Sequence, residues 1–308
     1  MPPPGFYADA TEVMRSLLFV PADSPKKLDK AMLSGADALI IDLEDSIVLD
    51  GKARARDSAA AFLKDAIAST TRPYIIVRVN GLQTGLTDAD LDAIAPAKPD
   101  AIMLPKAEGG ASVIHVDAKL AVREAINDLP DGHVKILPLA TETAAALFLA
   151  GTFAGSSARL LALTWGAEDL SAELGAHANR DAQGRFLDPY RLARVLCLAG
   201  AAAARVPALD TVHVDFRNAE GLRRECEEAC RDGFLGKMAI HPAQVPIINE
   251  VFTPSAEALE HARAVVDAFA AKPGAGVVGI GGVMYDRPHL KRAEQLLGRS
   301  LSRARGKD

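Results

Sequence analysis

A series of polar clusters, each placed just past a short apolar run, holds most of the side chains in this sequence that could do chemistry. They are Asp42-Leu43-Glu44-Asp45, Arg78-Val79-Asn80-Gly81, Pro105-Lys106-Ala107-Glu108, Ala140-Thr141-Glu142-Thr143, the stretch from Thr164 through Trp165 and Gly166 to Glu168-Asp169, Asp215, and His241-Pro242-Ala243-Gln244. Carboxylates dominate: Asp42, Glu44, Asp45, Glu108, Glu142, Glu168 and Asp169. Gathered in one concavity they repel and raise one another's pKa unless a cation sits among them. With oxygen donors prevailing and no Cys or paired His beside them, Mg²⁺ is the natural ion and Mn²⁺ the second choice. Glu142 also stands where a helical pattern begins, so a purely N-terminal helix role is the alternative for it. The Arg78 fork suits either a substrate carboxylate or a structural salt bridge to Asp42 or Glu44. Lys106 could form a Schiff base, but among so many acids a charged, paired ammonium is the better reading. His241 fits a general base or a loop-orienting residue. Cys226 and Cys230, without two further ligands at metal spacing, read as helix packing, and Trp165 as packing near the mouth.

The elements that must position these groups alternate. Strand-like runs lie at 16–20, 38–42, 74–79, 101–104, 135–139, 160–163, 211–214 and 237–240, with helical patterns such as 52–69, 111–127, 142–150, 189–205 and 219–231 between them. The strands are apolar throughout, as expected when both faces of a parallel sheet are covered. Eight such units predict a (β/α)₈ TIM barrel, whose active site forms at the C-terminal strand ends. A doubly wound sheet would want a Gly-rich turn after its first strand, and Val20-Pro21-Ala22-Asp23-Ser24-Pro25 cannot serve as one. Beyond the barrel, 255–270 reads as a helix with Ser255 as N-cap, 272–282 is rich in Gly and Val, and 287–297 reads as a short final helix. This appendage of roughly fifty residues is expected to be too small for a core of its own, and 299–308 reads as a frayed tail. The expected division is a leader at 1–14, a catalytic barrel at 15–252, and a C-terminal helical lid extension at 253–308.

Lys and Arg total 35 against 40 Asp and Glu, a net charge of −5, which gives no support to nucleic-acid binding. No apolar run approaches the roughly 20 residues of a membrane span, and no secretory leader is apparent. Three cysteines do not make a disulfide framework, so a reducing cytoplasm is the expected location.

Taken in order, Ser16-Leu17-Leu18-Phe19-Val20-Pro21, Asp42-Leu43-Glu44-Asp45, Arg78-Val79-Asn80, Leu104-Pro105-Lys106, Glu142-Thr143, the run from Gly166 to Leu170, the run from Gly236 to Gln244, and Met284-Tyr285-Asp286-Arg287-Pro288 resemble the citrate lyase β-subunit-like family of the HpcH/HpaI aldolase superfamily. That family includes malyl-CoA, citramalyl-CoA and citryl-CoA lyases. The resemblance implies a Mg²⁺-dependent barrel that makes or breaks a C–C bond between a 2-oxo acid and an acyl-CoA enolate. It implies that Glu142 and Asp169 hold the metal, that the acids Asp42, Glu44 and Asp45 bind its waters, and that Arg78 holds the oxo acid's carboxylate, with Lys106 in the substrate site. It further implies a homotrimer or hexamer whose C-terminal lid carries Asp286 to a neighbouring subunit. A plain N-cap of the last helix is the alternative for Asp286. Ala22 and Tyr285 depart from the family's usual glycine and aliphatic residue. Alternative functions are a class II pyruvate aldolase without CoA and a citrate lyase β subunit active only in a complex.

Overall fold

The computed structural model describes residues 14–305; the expected leader, apart from Met14, and residues 306–308 lie outside them. Contacts divide the chain into two compact units, the first spanning Met14–Glu250 and the second beginning at Val251.

The first unit is built on a seven-stranded sheet, every neighbour parallel: β1 (Ser16–Pro21), β2 (Ala38–Asp42), β3 (Tyr74–Arg78), β4 (Ala101–Leu104), β5 (Lys135–Pro138), β6 (Leu209–Asp210) and β7 (Gly236–Ala239), in the order β5-β4-β3-β2-β1-β7-β6. One side-chain set of these strands, among them Leu17, Ile40, Ile76, Met103, Leu137, Leu209 and Met238, forms a buried cluster. The helices that connect and flank the strands are α1 (Pro25–Met32), α2 (Lys52–Ile67), α3 (Thr87–Ile94), α4 (Gly109–Ile126), α5 (Ala144–Leu149), α6 (Glu168–Glu173), α7 (Asp188–Ala204), α8 (Ala219–Asp232) and α9 (Val245–Val251).

Two expected strands are corrected. Residues 160–163 form no regular strand; the segment touches β5 through bridges Ile136↔Leu160 and Leu139↔Thr164, and reaches the β6 side through Leu163↔Ala208. The reason is local. Pro138 has no N–H to continue the ladder, and the two bridges to β5 are offset by one residue, the mark of a bulge. The strand expected at 211–214 is instead β6, two residues long and earlier; beyond it the His213 carbonyl accepts from the Gln244 side-chain amide (2.8 Å) rather than from a neighbouring strand.

Between sheet and helices a buried ion pair links β6 to β7. Asp210 and Lys237 are register partners, their side chains meet at 2.7 Å with Glu225 of α8 3.3 Å from the ammonium, and Trp165 donates its indole N–H to Asp210 at 2.8 Å. Asp210→Ala leaves the fully buried Lys237 ammonium with Glu225 alone and the Trp165 indole N–H without its acceptor, and is expected to cost about 3 kcal/mol. Urea denaturation measures this, and a loss below about 1 kcal/mol, the worth of a surface pair, would refute it.

The second unit corrects the reading of the appendage. It contains α10 (Ala256–Ala270), a hairpin of β8 (Val277–Ile280) and β9 (Val283–Asp286), and α11 (Arg287–Arg305). Ser255 caps α10 as expected, accepting from Ala258 N–H. Gly281 and Gly282 turn the hairpin with positive φ at both positions, which suits the twist of a two-residue loop. Val265 and Phe269 of α10, Val278 of β8 and Ala293 of α11 are buried together, so this segment does hold a small core. Where a frayed tail was expected, α11 continues to Arg305.

Candidate active site at the strand ends

Register explains the first half of the site. Asp42 ends β2 and Arg78 ends β3, and the two are aligned partners. The guanidinium donates from Nε and Nη2 to the two Asp42 oxygens, both at 2.7 Å, over the Phe19 ring. Its Nη1 lies 3.0 Å from Glu44 and 3.5 Å from Asp45. Asp42 also accepts from the backbone N–H groups of Glu44 (2.9 Å) and Ser46 (3.1 Å), which turns the chain and brings Glu44 back into the site. Burial pushes the Asp42 carboxyl up, but the bonds from Arg78 and the turn outweigh it and hold it below the ordinary value. Lys52 fixes the same turn by donating to the carbonyls of Leu43 (2.7 Å) and Glu44 (2.6 Å). Arg78 thus makes the salt bridge that was its alternative role. Only two of its five N–H groups are spent on Asp42, so its Nη edge keeps donors.

The second half gathers on β4, β5 and α6. Lys106 follows β4 with a positive φ of 51°, uncommon for a residue with a side chain. In this conformation its N–H donates to Glu142 Oε2 at 2.7 Å, while its ammonium contacts Glu44 at 2.7 Å and Asp169 at 3.1 Å. Glu142 does not begin a helix. Thr143 caps α5, accepting from Ala146 N–H at 3.2 Å, and this leaves Glu142 to enter the site, only 3% exposed. Gly166 makes room for it, since a Cβ there would lie 2.9 Å from Glu142 Oε1. Asp169 sits in the first turn of α6. A cavity of about 510 Å³ opens here, lined by Lys106, Glu142 and Asp169 together with Gln83, Glu108 and Ser112. Gln83 and Ser112 were not anticipated; both lie farther past their strand ends than the clusters read from the sequence.

Burial pushes the Glu142 carboxyl up to about 8; the Lys106 N–H opposes this, and the nearby Asp169 charge reinforces it. Such a raised carboxyl adds stability in full below the ordinary glutamate value and loses it as pH rises through about 8. A cation bound there competes with the proton. Mg²⁺ is therefore expected to raise Tm more at about pH 9 than at about pH 6, as read by thermal melts with and without the ion; equal increments would refute this.

The remaining expected residues fall elsewhere. His241 Nδ1 accepts from Ala243 N–H at 3.2 Å, capping its own turn, and the ring stacks on Phe216, which is the loop-orienting role. Trp165 is buried against Asp210. Cys226 is buried with its thiol pushed up to about 12, which suits packing, whereas Cys230 is exposed and does not bear out the packing role expected of it. Asp286 belongs to the second unit, where it ends β9 and its carboxylate meets His289 Nδ1.

Among the described residues no group of three or more His, Cys, Asp or Glu is poised for a metal. Mg²⁺ does not require one: it takes one or two carboxylates and leaves its other positions to water and substrate. Glu142 and Asp169, whose mutual repulsion a divalent cation would relieve, fit that demand.

The HpcH/HpaI aldolase/citrate lyase family model matches residues 15–242. The chain belongs to this family. Among its HpcH/HpaI relatives, a Cereibacter sphaeroides protein named (3S)-malyl-CoA thioesterase is 37% identical over 93% of this chain and 94% of the relative. The mitochondrial citramalyl-CoA lyase of Rattus norvegicus is 32% identical over 92% and 85%. The crystal structure of Mycobacterium tuberculosis CitE with magnesium, acetoacetate and coenzyme A is similar at TM-score 0.75 and 36% identity, covering 93% of this chain and 98% of that one. The strand-end clusters therefore lie inside a family of which a solved member holds magnesium.

Proposed function

We propose that this chain is a Mg²⁺-dependent carbon–carbon lyase that reversibly cleaves a 3-hydroxyacyl-CoA, such as malyl-CoA, citramalyl-CoA or citryl-CoA, to an acyl-CoA and a 2-oxo acid. The observation that carries this reading is the convergence of Glu142, Asp169, Glu44 and Lys106 beside one cavity at the strand ends. The bridges of 160–164 to both β5 and the β6 side support a closed (β/α)₈ barrel beneath it. The working form in this proposal is a cytoplasmic homotrimer or hexamer.

Glu142 and Asp169 would hold the ion, with Glu44 and Asp45 accepting from its waters. The ion supplies Lewis-acid polarisation of the oxo acid's oxygens. Arg78 binds the oxo acid's carboxylate through the Nη donors not bonded to Asp42, which in the free chain face Glu44 and Asp45, on the rigid mount that Asp42 provides. Asp286, from a neighbouring subunit, moves a proton at the acyl α-carbon. Arg78→Lys keeps the charge but loses the fork, along with one of its two bonds to Asp42. It is expected to lower kcat/KM by about 100-fold, and near wild-type kinetics would leave Arg78 only a structural partner.

The deciding experiment assays malyl-, citramalyl- and citryl-CoA in the presence of Mg²⁺ or EDTA, following oxo acid and free thiol separately. Oxo acid release without thiol release, abolished by EDTA, is the expected result. Thiol release alone would favour thioester hydrolysis, the second reading, which the name of the C. sphaeroides relative suggests. Aldol cleavage without CoA would favour a class II pyruvate aldolase, and activity only with an acyl-carrier partner would favour a citrate lyase β subunit.

A further inference from the structure

The acidic mouth already contains a cation of its own. The Lys106 ammonium lies 2.7 Å from Glu44 Oε1 and 3.1 Å from Asp169 Oδ1, and the same residue's N–H holds Glu142 Oε2 at 2.7 Å. Lys106 therefore touches both residues proposed to hold Mg²⁺, one through its backbone and the other through its side chain. Its side chain is 23% exposed and lines the cavity, so the ammonium has room to move. Its positive φ is a strained conformation for a lysine, and such strain persists where the surroundings over-determine it.

We infer that the Lys106 ammonium is a tethered counter-ion, which occupies the cation's place at Asp169 when no metal is bound and yields it when the metal arrives. The inference rests on the reading that Glu142 and Asp169 hold Mg²⁺. An ammonium and a divalent ion on one carboxylate repel each other at close range, so the two compete for Asp169. Glu44 gives the displaced ammonium a second carboxylate that it already contacts, and the move is then a loss of one contact rather than a search for a new partner. The backbone N–H stays on Glu142 throughout, so one side of the metal site is held in place before the ion arrives. Lys106 acts here as a positioning residue whose competition weakens metal affinity: the apparent Kd is the intrinsic one divided by the fraction of chains in which Asp169 is released.

The test is Mg²⁺ binding by calorimetry on the full chain. Lys106→Met removes the ammonium and is expected to tighten the Mg²⁺ Kd by about tenfold or more. Lys106→Gly removes it too, keeps the N–H to Glu142 and relieves the positive φ, so it should show the same tightening even where the Met variant folds poorly. In the wild-type chain labelled with ¹⁵N-lysine, the Lys106 Nζ resonance should shift as Mg²⁺ is added. Unchanged or weaker Mg²⁺ binding in the substituted chains, or an Nζ resonance that Mg²⁺ leaves in place, overturns the inference while Glu142→Ala still abolishes binding. Mg²⁺ affinity that neither Glu142→Ala nor Asp169→Ala alters overturns the metal site itself, and the inference with it.

Discussion

Turnover by the Glu142→Ala variant is expected to fall by about 10³-fold or more, because the metal's several kcal/mol of charge stabilisation are lost with its ligand. The fold should survive. Glu142 is a buried acid whose burial opposes its ionisation, and among the described residues its one hydrogen bond comes from Lys106 N–H beside a cavity where water can replace it. Asp169→Ala should behave alike, with a smaller effect on stability since that side chain is partly exposed. Mg²⁺ titration, circular dichroism and steady-state kinetics on the two variants separate the effects. Unchanged Mg²⁺ affinity in both would remove them from the metal site, and a loss of native circular dichroism would make Glu142 a structural residue.

How much of this was legible in the sequence depends on what each element answers to. β2 and β4 have the bounds expected from their apolar runs, because strands covered on both faces leave little else for those residues to do. The 160–164 segment has the same composition, yet pairs irregularly. The obstacle lies in its neighbour, in the N–H that Pro138 lacks, and no property of residues 160–164 announces it. The hairpin of the second unit was hidden for a different reason. Val277, Val283 and Met284 are exposed and interspersed with glycine, so no buried alternation marks the strands.

The site divides in the same way. That carboxylates, Arg78 and Lys106 should converge followed from their places past strand ends. Which of them pair depended on register: Asp42 and Arg78 are aligned across β2 and β3, and from sequence Asp42 and Glu44 were equal partners. A helix-start role stays open for Glu142 in the sequence because the helical pattern runs on from it. Thr143 takes the cap, and Gly166, distant in sequence, clears the space into which Glu142 turns.

Asp286 is the residue for which two roles predict different outcomes. In its own unit it ends β9, with its carboxylate on His289 Nδ1 and only a long 3.4 Å contact from His289 N–H. The interaction with His289 holds the carboxyl below its ordinary value, and the side chain is part exposed. If Asp286 only caps α11, Asp286→Asn preserves the role, since asparagine caps as well as aspartate. If it moves a proton at the acyl α-carbon, both Asn and Ala are expected to cost about 10²–10⁴-fold in turnover with Mg²⁺ binding unchanged. The in-trans arrangement makes a sharper demand. An Asp286→Ala chain keeps an intact metal site, and a Glu142→Ala chain keeps an intact Asp286. Mixed at random in a closed ring, they leave about a quarter of the sites with both groups whole. Two inactive proteins, denatured together and reassembled, should then regain about that fraction of wild-type activity. No recovery, in mixed oligomers verified by native mass spectrometry, would mean that each chain supplies its own proton carrier or takes none from Asp286.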